Sequence, residues 1–171
     1  MSNKQALRDF QARLAQRLQA VREQTQIASW LAVDCAGLGL LLPLSQAAEI
    51  FSPTAMTLVP YSKPWMLGVA NLRGGLHTVV DMAQFLGLRT TRPEATGGRL
   101  VALSPELNTN CALWVDRLLG LRSDDQLTRV APSENRPHFA SEQRQDDKGR
   151  LWQVVDLDAL VRFQPFLDIV N

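Results

Sequence analysis

A repeat constrains this chain more than any other feature. Leu76-His77-Thr78-Val79-Val80-Asp81-Met82 returns at 151–157 as Leu151-Trp152-Gln153-Val154-Val155-Asp156-Leu157. An earlier pair runs in the same order, Leu40-Leu41-Leu42-Pro43-Leu44 against Cys111-Ala112-Leu113-Trp114-Val115. Each copy therefore reads as an apolar strand, a long connection, and a strand ending in Asp before a short helix. The Asp suits that junction because its carboxylate accepts from the first free amides of a helix. The two pairs have slightly different offsets, as expected of one duplicated unit with loops of unequal length. Such a chain is expected to form two similar small β-barrels, about 30–100 and 101–165, fused side by side.

The rest of the pattern agrees with many short strands. Trp30–Val33 and Leu38–Leu44 flank Asp34-Cys35-Ala36-Gly37 and suit a hairpin. Gly68–Leu72 and Leu76–Asp81 flank Arg73-Gly74-Gly75, a second tight-turn signal. Arg99–Leu103, Cys111–Val115 and Leu151–Val155 read as further strands. Met82–Leu88 and Leu157–Phe163 read as helices of two turns at most. Arg89–Gly98 and Ala131–Gly149, polar and interrupted by Pro, read as loops.

Residues 2–28 contain no Gly or Pro and form the first unit, a helix over 1–28 ahead of a domain over 29–171. Leu7, Phe10, Leu14, Leu18 and Val21 fall on one face, and Lys4, Arg8, Arg13, Arg17 and Arg22 make the remainder mainly basic. The stripe is expected to pack on its own domain or to fray, ahead of binding a partner or a membrane surface.

Chemistry is nearly absent. The 171 residues hold two histidines, His77 and His138, and two cysteines, Cys35 and Cys111, in no spacing that suits zinc, a nucleophile or a disulfide framework. Asp124-Asp125 and Asp146-Asp147 are loop charge pairs, and Gly74-Gly75 and Gly97-Gly98 lack the context of a phosphate loop. A net charge of +1 gives no field for nucleic acid, and the longest apolar stretch is too short to span a bilayer. The chain is expected to be non-enzymatic and cytoplasmic, with no cofactor, metal or nucleic acid and no direct membrane insertion. Arg73 stands out, because the tip of a Gly-flanked turn seldom needs a guanidinium and Arg is favoured at interfaces.

An ordered series of residues resembles the CheW-type chemotaxis adaptor family. It comprises Leu42-Pro43-Leu44 with Glu49-Ile50, Val59-Pro60, Gly68-Val69-Ala70-Asn71-Leu72-Arg73-Gly74, Val79-Val80-Asp81-Met82, Leu86-Gly87, Trp114-Val115-Asp116 with Gly120-Leu121, and Val155-Asp156-Leu157. The likeness covers about 30–162, and the long N-terminal helix is similar to the branch serving type IV pilus (twitching motility) chemosensory systems. Thr78 departs from the pattern, standing where the family usually has Pro.

The resemblance implies two SH3-like five-stranded β-barrels with an N-terminal α-helix and short helices. It implies an adaptor that couples the signalling tip of a methyl-accepting chemoreceptor to the regulatory domain of a CheA-type histidine kinase. That adaptor would be recruited to membrane-associated receptor arrays. Carried over by position, Glu49, Gly68, Asn71 and Arg73 belong to the receptor-facing region, with Glu49 and Arg73 able to pair. A mainly hydrophobic barrel face, unassigned from sequence, would meet the kinase. The alternatives are an adaptor of a flagellar or other chemosensory pathway and a small ligand-binding β-barrel.

Overall fold

A computed structural model describes residues 3–171, with side chains described for 4–20 and 28–171. Helix α1 (Asn3–Ile27) runs into the hairpin β1 (Ala28–Cys35) and β2 (Leu38–Pro43). After β3 (Ala47–Phe51) come β4 (Met66–Leu72), β5 (Gly75–Asp81) and the short α2 (Met82–Phe85). A further hairpin follows, β6 (Arg99–Leu103) with β7 (Cys111–Val115), then β8 (Arg117–Ser123), β9 (Thr128–Val130), β10 (Gln143–Gln145) and β11 (Leu151–Val154). Helices α3 (Leu157–Arg162) and α4 (Gln164–Leu167) end the chain's regular structure.

The strands form two sheets, β3-β6-β7-β5-β4 and β8-β1-β2-β11-β10-β9. One sheet has the expected five strands and the other has six. The duplicated fragments pair crosswise: β5 lies parallel to β7, and β11 lies parallel to β2. Each sheet thus joins the first fragment of one copy to the last fragment of the other. The sheets consequently do not divide at residue 100. β6 and β7 complete the strands of the first half, while β1 and β2 complete those of the second. Parallel neighbours need a crossover rather than a hairpin, and the chain provides one between β5 and β7 through α2, the segment 86–98 and β6.

Both sheets roll. β3 and β4 are opposite ends of the five-stranded order, yet Thr57, just beyond β3, exchanges backbone bonds of 2.8 and 2.9 Å with Val69 of β4. In the six-stranded sheet Arg144 of β10 lies over the ring of Trp30 of β1, 4.8 Å from its centroid. Two strands separate β10 from β1 in the hydrogen-bonded order. The result is two SH3-like, barrel-like halves.

Alternation along the strands explains how the halves join. On β7, Ala112 and Trp114 fill the five-stranded half, whereas Cys111, Leu113 and Val115 turn to a core shared by both halves. On β2, Leu41 fills the six-stranded half with Trp152, and Leu40 and Leu42 face the shared core. Strands buried on both faces read as unbroken apolar runs, which is why the duplicated fragments were so visible.

Four strands left no such signal, namely β3, β8, β9 and β10. β10 lies inside the segment 131–149 that reads as a loop. Its central residue, Arg144, is buried and bonded at 2.6 Å to Asp124 and at 2.7 Å to Glu142. A strand whose inward residue is a cation shows no period-two apolar pattern.

The stripe of α1 also departs from expectation. Every described side chain from 4 to 20 is exposed, including Leu7, Phe10, Leu14 and Leu18, so the stripe does not pack on its own domain. The side chains of Val21 and Arg22 lie outside the described residues. The shared core already takes up the apolar faces of the barrels.

An ionic cluster ties the ends of β5 and β7 to the first hairpin. Asp81, fully buried, accepts from the Arg89 guanidinium at 2.7 and 3.1 Å, from the Ala83 amide at 3.1 Å and from the Gln84 side chain at 2.9 Å. Arg89 also donates to Asp116 at 2.7 Å, and Asp116 accepts from the Ala36 amide at 2.7 Å. The helix cap read from the sequence at Asp81 is therefore also the anchor of an inter-strand network. Asp156 caps α3 in the same way, accepting from the Ala159 amide at 3.2 Å, with Gln46 in place of the arginine.

Arg89→Met is expected to cost about 3 kcal/mol or more, because it strands the buried Asp81 carboxylate; urea unfolding measures it, and an unchanged midpoint would remove the cluster from the fold's support. Asp124 gives a pH signature. The Trp30 indole N–H at 2.8 Å, with the Arg144 guanidinium, holds its carboxyl below the usual range against partial desolvation. A lowered folded-state pKa contributes stability that is present above the unfolded value near 3.9 and lost as pH falls through the folded one. Because Asp124 is largely exposed, the contribution is about 1 kcal/mol or less. Asp124→Asn should flatten the acid limb of the tryptophan-fluorescence unfolding curve below about pH 4.

Candidate functional site

The hairpin β4–β5 turns in two residues, Arg73 (φ 51°) and Gly74 (φ 76°), with Leu72 opposite Gly75. Positive φ at both central positions is the turn that matches strand twist, and Asn, Asp and Gly are its usual occupants. Gly74 fits at no cost. Arg73 does not, since a side chain in the left-handed region costs about 1 kcal/mol or more. Asn71 stabilises the turn by accepting from the Gly74 amide at 2.9 Å. The sequence thus folds a tight turn around a strained arginine.

The Arg73 guanidinium reaches across the barrel seam to Glu49 on β3, 2.6 Å away. Its side chain is 76% exposed and that of Glu49 35%, so the pair is wet and contributes only about 0.5 kcal/mol. The expected pairing of Glu49 with Arg73 is thus present. Its small stabilising effect leaves the strain at Arg73 without a structural return. Asn71, opposite Leu76 in the ladder, stands on the outer surface of the hairpin with it, and both are exposed. The sequence gives no sign of Leu76 as a site residue, because the repeat places it in a core strand. The alternation that faces Val79 inward faces Leu76 out.

Gly68 occupies a different place. It is buried beneath the 53–57 segment with φ 145°, and a Cβ there would sit 2.5 Å from the Thr57 carbonyl oxygen. It permits the backbone contact that closes the barrel, one shell behind the exposed surface. The structure therefore brings together Glu49, Asn71 and Arg73, with Gly68 underneath. Thr78 uses its amide to donate to the Asn110 carbonyl at 2.9 Å, a bond that proline could not make.

Neither cysteine offers a reactive thiol. Burial pushes the Cys111 thiol up to about 12. It pushes Cys35 up as well, with Asp116 adding to the effect. Both sulfurs are held as neutral core thiols. Among the described residues no group of three His, Cys, Asp or Glu side chains gathers to hold a metal, and no helix is long and apolar enough to cross a membrane. The site offers contact: a cation and a carboxylate in fixed relation, an amide and an exposed leucine.

Comparison with known proteins agrees with this architecture. Residues 29–164 match the family model described as CheW-like domain. Protein PilI of Pseudomonas aeruginosa is 28% identical over 162 residues, covering 92% of this chain and 88% of PilI. The probable chemotaxis protein CheW of Rhizobium etli is 41% identical over 54 residues, 32% of this chain and 35% of that one. The crystal structure of the scaffolding protein TtCheW from Thermoanaerobacter tengcongensis superposes with a TM-score of 0.63 at 16% identity, covering 75% of this chain and 88% of that one. That likeness shows a shared fold.

Two substitutions separate scaffold from surface. Gly68→Ala should lose about 2 kcal/mol or more, through strain and the clash with Thr57. Arg73→Gly should unfold at the same denaturant concentration or up to about 1 kcal/mol later. A strongly destabilised Arg73→Gly would make the arginine a structural residue.

Proposed function

The chain belongs to the CheW-like domain family, and from that premise we propose that it couples the signalling tip of a methyl-accepting chemoreceptor to the regulatory domain of a CheA-type histidine kinase, in the control of type IV pilus twitching motility. The observation that carries the reading is the hairpin tip. A turn that glycine would make more easily holds an exposed Arg73 against Glu49, which is a use of strain that suits recognition more than stability. That geometry supports receptor contact through Glu49, Asn71 and Arg73, with Leu76 as apolar neighbour. Gly68 acts beneath them by keeping the turn's barrel closed.

The scaffold reading needs no intrinsic catalysis and no cofactor, and the buried thiols and scattered carboxylates support it. A ligand-binding barrel is disfavoured by the interiors, which Trp114 and Trp152 fill. The pilus assignment rests on similarity to PilI along nearly the whole chain. Similarity of a shorter stretch to a probable chemotaxis CheW supports the second reading, the same adaptor role in another chemosensory pathway. In either case the protein would act in the cytoplasm at membrane-associated receptor arrays.

Calorimetric titration tests this directly. The regulatory domain of a CheA-type kinase from the same cell should bind at micromolar affinity or tighter, about −8 kcal/mol or more favourable. Arg73→Glu should weaken binding of a receptor-tip fragment at least about tenfold, with kinase affinity and thermal midpoint unchanged. No kinase binding would sink the adaptor reading. Equal loss for both partners would sink the assignment of this hairpin to the receptor.

A further inference from the structure

The adaptor reading leaves the apolar stripe of α1 unused. Leu7, Phe10, Leu14 and Leu18 are all about half exposed or more, on a helix whose strongest contact is with the strand it runs into. Their spacing is three, four, four, an eleven-residue period from Leu7 to Leu18. Such a period keeps a seam nearly straight along an α-helix, since 3.67 residues per turn is close to the intrinsic 3.6. The stripe is one side chain wide, as in a helix-pairing seam. A helix lying in a membrane interface presents a wider apolar face.

The charges beside the seam choose the occupant. Projected at about 100° per residue, Lys4 and Arg8 border the stripe on one side, and Arg13 and Arg17 border it on the other. Asp9, the one acid among residues 4–20, lies on the far surface. A second copy of α1, parallel or antiparallel, would set cations against cations along both borders. An anionic membrane would meet the cations but would find little apolar depth to bury. We propose that α1 is a docking helix for a separate protein, pairing its Leu7-Phe10-Leu14-Leu18 seam with an amphipathic helix that carries Glu or Asp along both borders of its own apolar stripe.

The test uses the full chain and three probes. The first is a labelled peptide of the length of α1 with leucines at the three-four-four spacing flanked by glutamates. The second is the same peptide with lysines in place of the glutamates, and the third is phosphatidylserine–phosphatidylcholine vesicles. Fluorescence anisotropy should show saturable binding of the acidic peptide only, weakening between about 0.05 M and 0.5 M salt. Phe10→Ala with Leu14→Ala should reduce it at least about tenfold. The barrels' unfolding midpoint should stay the same. Arg13→Glu with Arg17→Glu keeps the seam and should shift preference to the lysine peptide. The proposal is overturned if the acidic peptide fails to bind or binds the alanine variant equally. Stripe-dependent binding to vesicles in preference to peptide overturns it in favour of a membrane. Self-association in sedimentation equilibrium that the alanine variant abolishes overturns it in favour of a second copy.

Discussion

The buried contact of Arg89 with Asp81 and Asp116 holds the two halves of this protein in register. Asp81 ends β5 and starts α2, Asp116 follows β7, and the Ala36 amide that Asp116 accepts belongs to the turn of the first hairpin. One guanidinium thereby fixes a helix start, a parallel strand pair and the approach of the opposite sheet. A carboxylate as deeply buried as Asp81 is tolerable only when its lone pairs are satisfied. Arg89, Gln84 and the Ala83 amide satisfy them, so Asp81 can be buried at low cost only when all these segments have come together. That makes it a specificity device as well as an anchor.

The crossed pairing of the repeats follows from the same junction. β7 can lie parallel to β5 only after the chain has crossed back, and the crossover carries Arg89 toward both carboxylates. The apolar strands then serve two cores at once. Alternate residues of β2 and β7 fill their own barrel and the seam between barrels. The halves consequently cannot part without exposing the faces of five strands, β1, β2, β5, β6 and β7, and the pair behaves as one scaffold.

Against that rigid background two features stand out. The Arg73 turn spends local strain on an exposed charge, while its partner Glu49 sits across the closed seam of the barrel. The spacing of the two charges is set by barrel closure, hence by the close approach of Thr57 to Gly68. An exposed pair mounted on such a frame has a fixed geometry at little stabilising value, which is the property recognition requires. The helix α1 is the other feature, an apolar seam that the barrels do not cover.

The repeat, the capping aspartates, the Gly-flanked turn and the ordered family residues were legible in the sequence because each rests on local chemistry. Alternation, caps and turns act over a few residues. The pairing of Glu49 with Arg73 was within reach through resemblance, and the apolar stripe of α1 through its period. What the tertiary structure decided is everything that depends on long-range closure. The exchange of hairpins between halves, the strand around buried Arg144, the second duty of Asp81, and the placing of Leu76 outside and Gly68 beneath the site arise from contacts between distant segments. Local pattern fixes which residues prefer to be strand, cap or turn. Only the rolling of the two sheets fixes which of them meet.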